Sequence, residues 1–333
     1  MDREVSGMKK VTLKDIAQEL NVTIGTVSHV LNGRDDISEE TKKKVLETAE
    51  KLGYIPNASA TSLRSGKTKT IAAIVPDISN PHIAYQIKMI EDKMRLLQYT
   101  VLILNTNESE ETERDAIITA CSKSVDGILL CPSQHSTKNI EFLNGLHIPY
   151  VLIGRFFSGF DTDYVCGDDF KSGYILGEYL IKEDCKKPIY IGAYKYIESS
   201  WNRYLGMQKA FMEKGICISE DMFVEMEPKS NYVEAVMQKI LEDKIPFDSI
   251  VAFSDLIAFE IMSKFKSHPM VSSVPVVGFD AINTHLCCPG ASISVGMVNG
   301  GWADKASSIL YKKMNGSKKK YHEIIDVKLF EFM

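Results

Sequence analysis

The chain has 333 residues, 44% hydrophobic and 25% charged, with a formal net charge of -5. That length exceeds what one core usually organises, so two or three domains are expected, and the acidic balance excludes a protein coated in positive potential while leaving room for a local basic face. No apolar run approaches the roughly 18 residues of a membrane span, and the start MDREVSGMKK lacks a signal-peptide core, which predicts a cytoplasmic protein with no membrane partner.

The first predicted helix follows Thr12, a cap with Asp15 three residues on, and Leu13, Ile16, Ala17 and Leu20 fall on one face. Asn21 stands where the chain must turn sharply and tolerates the left-handed conformation. Thr23 caps a second helix, whose apolar positions Val27, Val30 and Leu31 again share a side, and Asn32-Gly33 ends it. A third helix is expected from the Ser38 cap, with Glu39 and Glu40 in its first turn, through Val45, Leu46, Ala49 and Leu52 to the stop at Gly53.

Three short helices around one small core, two of them joined by a tight turn, are the helix-turn-helix arrangement that sets its second helix in the DNA major groove. Ile24, Gly25, Thr26, Ser28, His29 and Asn32 lie off the apolar face. Small groups, hydroxyls and a histidine can reach bases and phosphates, whereas a merely solvated helix more often carries Glu and Lys. Ile24, Gly25, Thr26, Ser28 and His29 are the expected base readers; Thr12, Thr23, Asn32 and Arg34 are the expected phosphate contacts, with Lys10, Lys14, Arg64 and Lys67 as further candidates. Residues 1 to 67 hold 11 Lys/Arg against 10 Asp/Glu. Phosphate binding there must rest on placement and helix N-termini rather than on bulk charge.

In GYIPNASATSLRSGKTKT, Pro56 breaks the third helix and Asn57 can cap a short helix that cannot fold alone. Carrying Leu63 and flanked by Arg64 and Lys67, it reads as a hinge that orders on DNA and wedges Leu63 into the minor groove. VTLKDIAQELNVTIGTVSHVLNG followed by SEETKKKVLETAEKLGYIPNASATSLRSGKT closely resembles the DNA-binding headpiece and hinge helix of the LacI/GalR family of bacterial repressors. The resemblance implies that Ile24, Gly25 and His29 occupy the base-reading positions and Leu63 the wedge. Gly25 and His29 depart from the larger donors usual in the family, and Met8-Lys9-Lys10-Val11 resembles its typical start.

Beyond Thr70 short apolar runs alternate with helical stretches: IAAIV (71 to 75), TVLIL (100 to 104), GILLC (127 to 131) and YVLIG (150 to 154), with helices from Pro81, Glu110 and Thr137. The pattern repeats in PIYIG (188 to 192), MFVEM (222 to 226), SIVAF (249 to 253) and PVVGF (275 to 279). The expected class is α/β: an all-α headpiece, then two doubly wound parallel sheets with a cleft at their strand ends. No GxGxxG or P-loop anchors a nucleotide, and no cofactor is expected. Cys121, Cys131, Cys166, Cys185, Cys217, Cys287 and Cys288 are scattered, without a CxxC pair or histidines at zinc spacing, and read as reduced, mostly buried thiols. Neither a GxSxG elbow nor a metal-ligand helix supports catalysis.

The body from Ile71 to Met333 resembles the family's regulatory core, whose fold is that of periplasmic sugar-binding proteins, most clearly at VPDISNPH, DGILL and RYLGMQKAF. That implies a headpiece over 1–55, a hinge over 56–69, and a core over 70–333. Three chain crossings would divide the core into a first subdomain of about 70–165 plus 300–323 and a second of about 166–299 plus 324–333. A helix near Gly301 to Asn315 would return to the first unit and a strand around Ile324 to Phe332 would join the second. Arg203 and Asp280 match the family's effector-gripping positions, and a guanidinium fork with a carboxylate suits a polyol. Ser254 stands where asparagine often contacts ligand, with Asp255 beside it as a helix cap, and Met226 replaces a frequent aromatic stacker. Ser79, His82 and Ile83 are expected on the first-unit wall, with Arg155 after Gly154. The expectation is a homodimeric repressor of a pseudo-palindromic operator, controlled by a small sugar-like effector. Control by a corepressor or protein partner is the alternative, and the headpiece argues against a binding protein without DNA function. No leucine heptads follow the core, so a tetramer is not expected.

Overall fold

The computed structural model describes residues 11–31, 33–34, 36–55, 66–227, 232–284, 292–298 and 300–332. Asn32, Leu63, Arg64, Cys287 and Cys288 therefore lie outside the described residues, as does Lys10. The chain divides into two units, Met1–Gly66 and Lys67–Met333.

In the first unit α1 (Leu13–Leu20), α2 (Ile24–Leu31) and α3 (Glu39–Lys51) follow the predicted caps. Thr12 and Asp15 form a reciprocal capping box: Thr12 N donates to Asp15 Oδ2 at 2.7 Å, and Asp15 N donates to Thr12 Oγ1 at 3.4 Å. Asn21 takes the left-handed conformation at φ 52° and lets the chain reverse into α2. Ile16, Ala17, Val27, Val30, Val45 and Ala49 are buried together, so each helix hides only the stripe its apolar spacing dictates.

The second unit opens with β1 (Thr70–Val75), α4 (Pro81–Leu96), β2 (Thr100–Asn105), α5 (Glu110–Ser122), β3 (Gly127–Leu130), α6 (Lys138–Leu146), β4 (Tyr150–Ile153) and β5 (Tyr164–Gly167). It continues through α7 (Asp169–Lys182), β6 (Pro188–Gly192), α8 (Glu198–Glu213), β7 (Phe223–Glu225), α9 (Val233–Glu242), β8 (Ser249–Ala252), α10 (Asp255–Phe265), α11 (Pro269–Ser272), β9 (Val276–Phe279), β10 (Ile293–Met297), α12 (Ala303–Met314), β11 (His322–Ile325) and β12 (Val327–Glu331).

Two six-stranded sheets result, ordered β11-β5-β4-β3-β1-β2 and β12-β10-β9-β8-β6-β7. The first is parallel throughout, and in the second only the β10–β12 pair is antiparallel. Central strands such as GILL and PIYIG are buried along their whole length, as continuous apolar runs covered on both faces require. TVLIL, which reads as equally apolar, forms an edge strand with Ile103 44% exposed. The strand anticipated over 324–332 is divided at Asp326: β11 pairs with β5 in the first sheet, and β12 pairs with β10 in the second. α12 packs on α4 and β4, within the first sheet's core.

Candidate functional site

In the helical unit, Ile24 and Gly25 are exposed, while Thr26, Ser28 and His29 are half-buried along the same helix. Thr23 Oγ1 accepts from Thr26 N at 3.0 Å, so this hydroxyl holds the start of α2. Thr12 Oγ1 likewise donates to Asp15 Oδ2 at 2.7 Å. Arg34 is exposed. His29 Nδ1 lies 3.3 Å from the Asp36 carboxylate, an approach that spacing along one helix could not show.

In the core, the C-terminal ends of β1, β3, β4, β5, β8, β9 and β10 open into one cavity of about 140 Å³, where an open α/β sheet places its ligand. Ser79, His82, Ile83, Arg155, Arg203, Ser254 and Asp280 all line it. Met226 does not: it is 3% exposed and packs among Ile189, Val233 and Ile257 in the second sheet's core, because the chain passes inward at the end of β7. The helix cap is Ser254, whose Oγ accepts from Ile257 N at 3.5 Å, rather than Asp255, which is fully buried one position later.

Arg203, on α8, donates from Nε to Asp169 Oδ1 at 2.8 Å and from Nη1 to the Phe253 carbonyl at 2.9 Å, and both terminal nitrogens reach Asp280 Oδ1 at 3.4 Å. Asp280 has φ 94° and Ala281 φ 49°, an uncommon conformation for non-glycine residues. Three hydrogen bonds hold this turn: Asp280 N to Val295 O at 3.0 Å, Ala281 N to Ser294 Oγ at 2.9 Å, and Ile282 N to Asp255 Oδ2 at 2.9 Å. The first wall carries Arg155, bidentate to Glu108 at 2.7 and 2.8 Å. His82 is 9% exposed, and its Nδ1 has no partner among the described residues. Burial lowers its pKa; Asp280 opposes that and Arg203 adds to it, which leaves the imidazole neutral near pH 7.

Glu108, Asp169 and Trp302 also line the cavity and were not among the expected residues. Asp169 carried a signal in the doubled acid of VCGDDF, since a second carboxylate after the Asp168 cap has no helix end left to satisfy. Trp302 brings an aromatic ring to the cavity from a different element than the Met226 position. Gly154, at φ 69°, leaves space beside it: a Cβ there would lie 3.6 Å from the indole Nε1 and 3.7 Å from Cys131 Sγ. Cys131 itself is no nucleophile, because burial pushes its thiol up to about 12. Between the segments that follow β3 and β4 and the segment that follows β6, Tyr196 OH lies 3.0 Å from His135 Nε2, Ser158 Oγ donates to Glu198 Oε1 at 2.6 Å, and Glu198 N donates to Gln134 Oε1 at 3.0 Å, which ties loops of the first sheet to the start of α8.

Residues 12–57 match the model of bacterial regulatory proteins of the lacI family, and residues 68–288 match periplasmic binding proteins and the sugar binding domain of the LacI family. The chain belongs to the LacI family. Among similar proteins, the HTH-type transcriptional regulator RegA of Clostridium saccharobutylicum is 33% identical over 274 residues, covering 81% of this chain and 82% of RegA. Catabolite control protein A of Priestia megaterium is 30% identical over 280 residues, covering 83% of each chain. A Lac repressor dimer bound to operator and the anti-inducer ONPF shares the fold at TM-score 0.84 and 17% identity, covering 97% of this chain and 98% of that one. This LacI-family member is accordingly a DNA-binding transcriptional regulator with a ligand-binding core, and not an enzyme. Among the described residues no helix is long and apolar enough to cross a membrane.

Burial makes two of the carboxyls pH-sensitive. It pushes Asp169 up to about 6 against the pull of Arg203, and Asp255 up to about 8 with the help of Asp280. A carboxyl raised on folding contributes stability that is complete below its unfolded pKa of about 4 and is lost as pH rises through the folded value. The melting temperature of the regulator is therefore expected to fall between pH 5 and 9. Asp255→Asn, which keeps the acceptor for Ile282 N, should flatten the upper part of that fall. An identical slope in thermal melts of the variant would show that Asp255 is ionised throughout.

Proposed function

We propose that this regulator is a cytoplasmic homodimeric repressor whose operator affinity is set by an uncharged, single-ring polyol bound in the core cleft. In this reading Ile24, Gly25, Thr26, Ser28 and His29 face bases, and Thr12, Thr23, Asn32 and Arg34 face phosphates. Leu63 and Arg64 enter the minor groove. Ser79, His82, Ile83, Arg155, Arg203, Ser254 and Asp280 hold the effector. The carrying observation is that both guanidinium groups in the cleft are already paired with carboxylates, Arg155 with Glu108 and Arg203 with Asp169 and Asp280. Among the described lining residues no cation is left for a phosphate or carboxylate, and the surplus charge is negative. Hydroxyls suit this lining, because they donate to the carboxylates and accept from the guanidinium edges. The volume supports one ring, since a cavity of about 150 Å³ accommodates benzene. Dimerisation is supported by the Lac repressor dimer of the same fold.

The test is operator affinity measured with and without neutral sugars and their phosphates, on DNA recovered by selection from random sequence. Selection is expected to return inverted half-sites. A neutral sugar should raise the melting temperature by mass action and weaken operator binding. Asp280→Asn should still bind operator but lose about tenfold to a hundredfold in ligand affinity, the scale of one charged hydrogen bond. Direct repeats would overturn the dimer, and tighter binding of a sugar phosphate than of its parent sugar would overturn the charge argument.

A further inference from the structure

The chain enters the core at one end of the first sheet, and two sets of contacts define that end. Lys67 Nζ donates to Asn315 Oδ1 at 2.8 Å, which brings the loop after α12 beside the entry point. Thr68 Oγ1 donates to the Ser124 carbonyl at 2.8 Å, which brings the end of α5 to its other side. Lys69, Lys123, Lys312, Lys318, Lys319 and Lys320 are all exposed on these segments.

Helix electrostatics account for only part of this charge. Lys312 lies in the last turn of α12, where a cation offsets the negative end of the helix dipole; Lys318, Lys319 and Lys320 lie beyond that turn. The loop that carries them is anchored. Lys313 Nζ sits 2.8 Å from Asp163 Oδ2 and donates to the Lys319 carbonyl at 3.3 Å, and Tyr321 N donates to Asp163 Oδ1 at 2.8 Å. Lys312 and Lys319 both lie over the Tyr321 ring, at 5.8 and 5.3 Å from its centroid.

The carboxylates nearby are largely committed. Asp126 accepts from Thr68 N at 2.8 Å and Lys69 N at 3.1 Å, and Asp163 is held as described. Asp161 lies 3.0 Å from Lys320 and 3.6 Å from His322. Among the described residues, Lys320 is the one exposed lysine of the six with a carboxylate in ion-pair reach. A positive face thus marks the core of a chain whose net charge is -5 and whose DNA-binding unit, which precedes Lys67 in sequence, holds as many acids as bases.

We propose that this end of the core is a second, sequence-independent DNA surface that binds backbone phosphates of the duplex flanking each half-site while the helical unit reads bases. Anchored lysines suit such a surface, because each phosphate they neutralise releases counterions, which adds affinity without specificity. The inference rests on the DNA-binding activity of the family and not on the effector reading. Wild-type operator binding is its positive control.

The test uses the full chain with Lys318→Gln, Lys319→Gln and Lys320→Gln combined. A control variant carries Lys239→Gln, Lys244→Gln and Lys266→Gln, which remove equal charge from exposed sites on the second subdomain. Affinity is measured against salt concentration on an operator trimmed to its half-sites and on one extended by about ten base pairs per side. On the extended duplex the loop variant should lose at least about tenfold at low salt. Its log-log salt slope should fall by about 1 or more, since each phosphate contact contributes roughly 0.9. On the trimmed duplex it should match wild type, as should the control variant on both. An unchanged slope on the extended duplex, an equal loss on both duplexes, or an equal loss in the control variant would each overturn the proposal. Circular dichroism melts confirm that exposed substitutions leave the fold intact.

Discussion

Arg203→Ala is expected to destabilise the core by about 3 to 5 kcal/mol, the cost of removing one partner from a buried ionic cluster. Arg203, Asp169 and Asp280 have side chains only 15%, 13% and 12% exposed, so the two carboxylates left behind cannot be rehydrated without opening the cleft. The loss should be largest above neutral pH and shrink as pH falls, because each stranded carboxylate can take up a proton and become neutral. Adding Asp169→Asn to Arg203→Ala should recover part of the stability. Urea unfolding of the two variants and wild type at pH 5 and 8 is the measurement. A loss below about 1 kcal/mol at pH 8 would mean that the cluster behaves like a solvated surface pair. Because Arg203 holds the buried cluster together and, in the proposed reading, the ligand as well, the milder Asp280→Asn is the variant that isolates ligand response.

Gly173→Ala should cost about 3 kcal/mol, the upper end of the overpacking range. A Cβ at Gly173 would stand 1.8 Å from the Arg203 carbonyl oxygen, because α7 and α8 pack nearly backbone to backbone. No rotamer change relieves a clash with a main-chain atom, so α8 must move, and Arg203 moves with it. Gly177→Ala, one turn along, meets the Ala210 Cβ at 2.8 Å and the Met207 carbonyl at 3.0 Å, and should cost less. Urea midpoints for the two variants give the comparison. Equal losses would show that the helix pair slides as a unit and that the close approach at Gly173 carries no special strain.

The two glycines show where local pattern stops being informative. Gly173 reads as a mere weakness in a helix until α8 is placed against it. Asp169 is similar: the spacing of VCGDDF supplies an extra carboxylate but not the arginine thirty-four residues later that binds it. Met226 fails in the opposite sense, since the position after a short strand fixes no side-chain direction and the chain there turns inward. β5 and β10 were not anticipated, and β11 was not separated from β12, because YVCG, ISVGM and HEII are interrupted by small or polar residues and lack the continuous apolar run that marks the equally short β3 and β8.

What the sequence determined by itself is whatever depends on neighbours within a few residues: the caps at Thr12, Ser38 and Asn80, the left-handed turn at Asn21, and the apolar stripes that fold three short helices together. Continuous apolar runs similarly specify central parallel strands, and strand ends followed by helices specify where a cleft opens. Only the tertiary structure decided which charges meet. Arg203 joins α7, α8 and the ends of β8 and β9; Arg155 meets Glu108 from another strand end; Trp302 arrives from the returning helix. Ion pairing at 3 to 4 Å depends on the summed geometry of several elements, and a shift of one helix by an ångström redirects it, whereas caps and amphipathic faces are set by bond angles and the helical repeat alone.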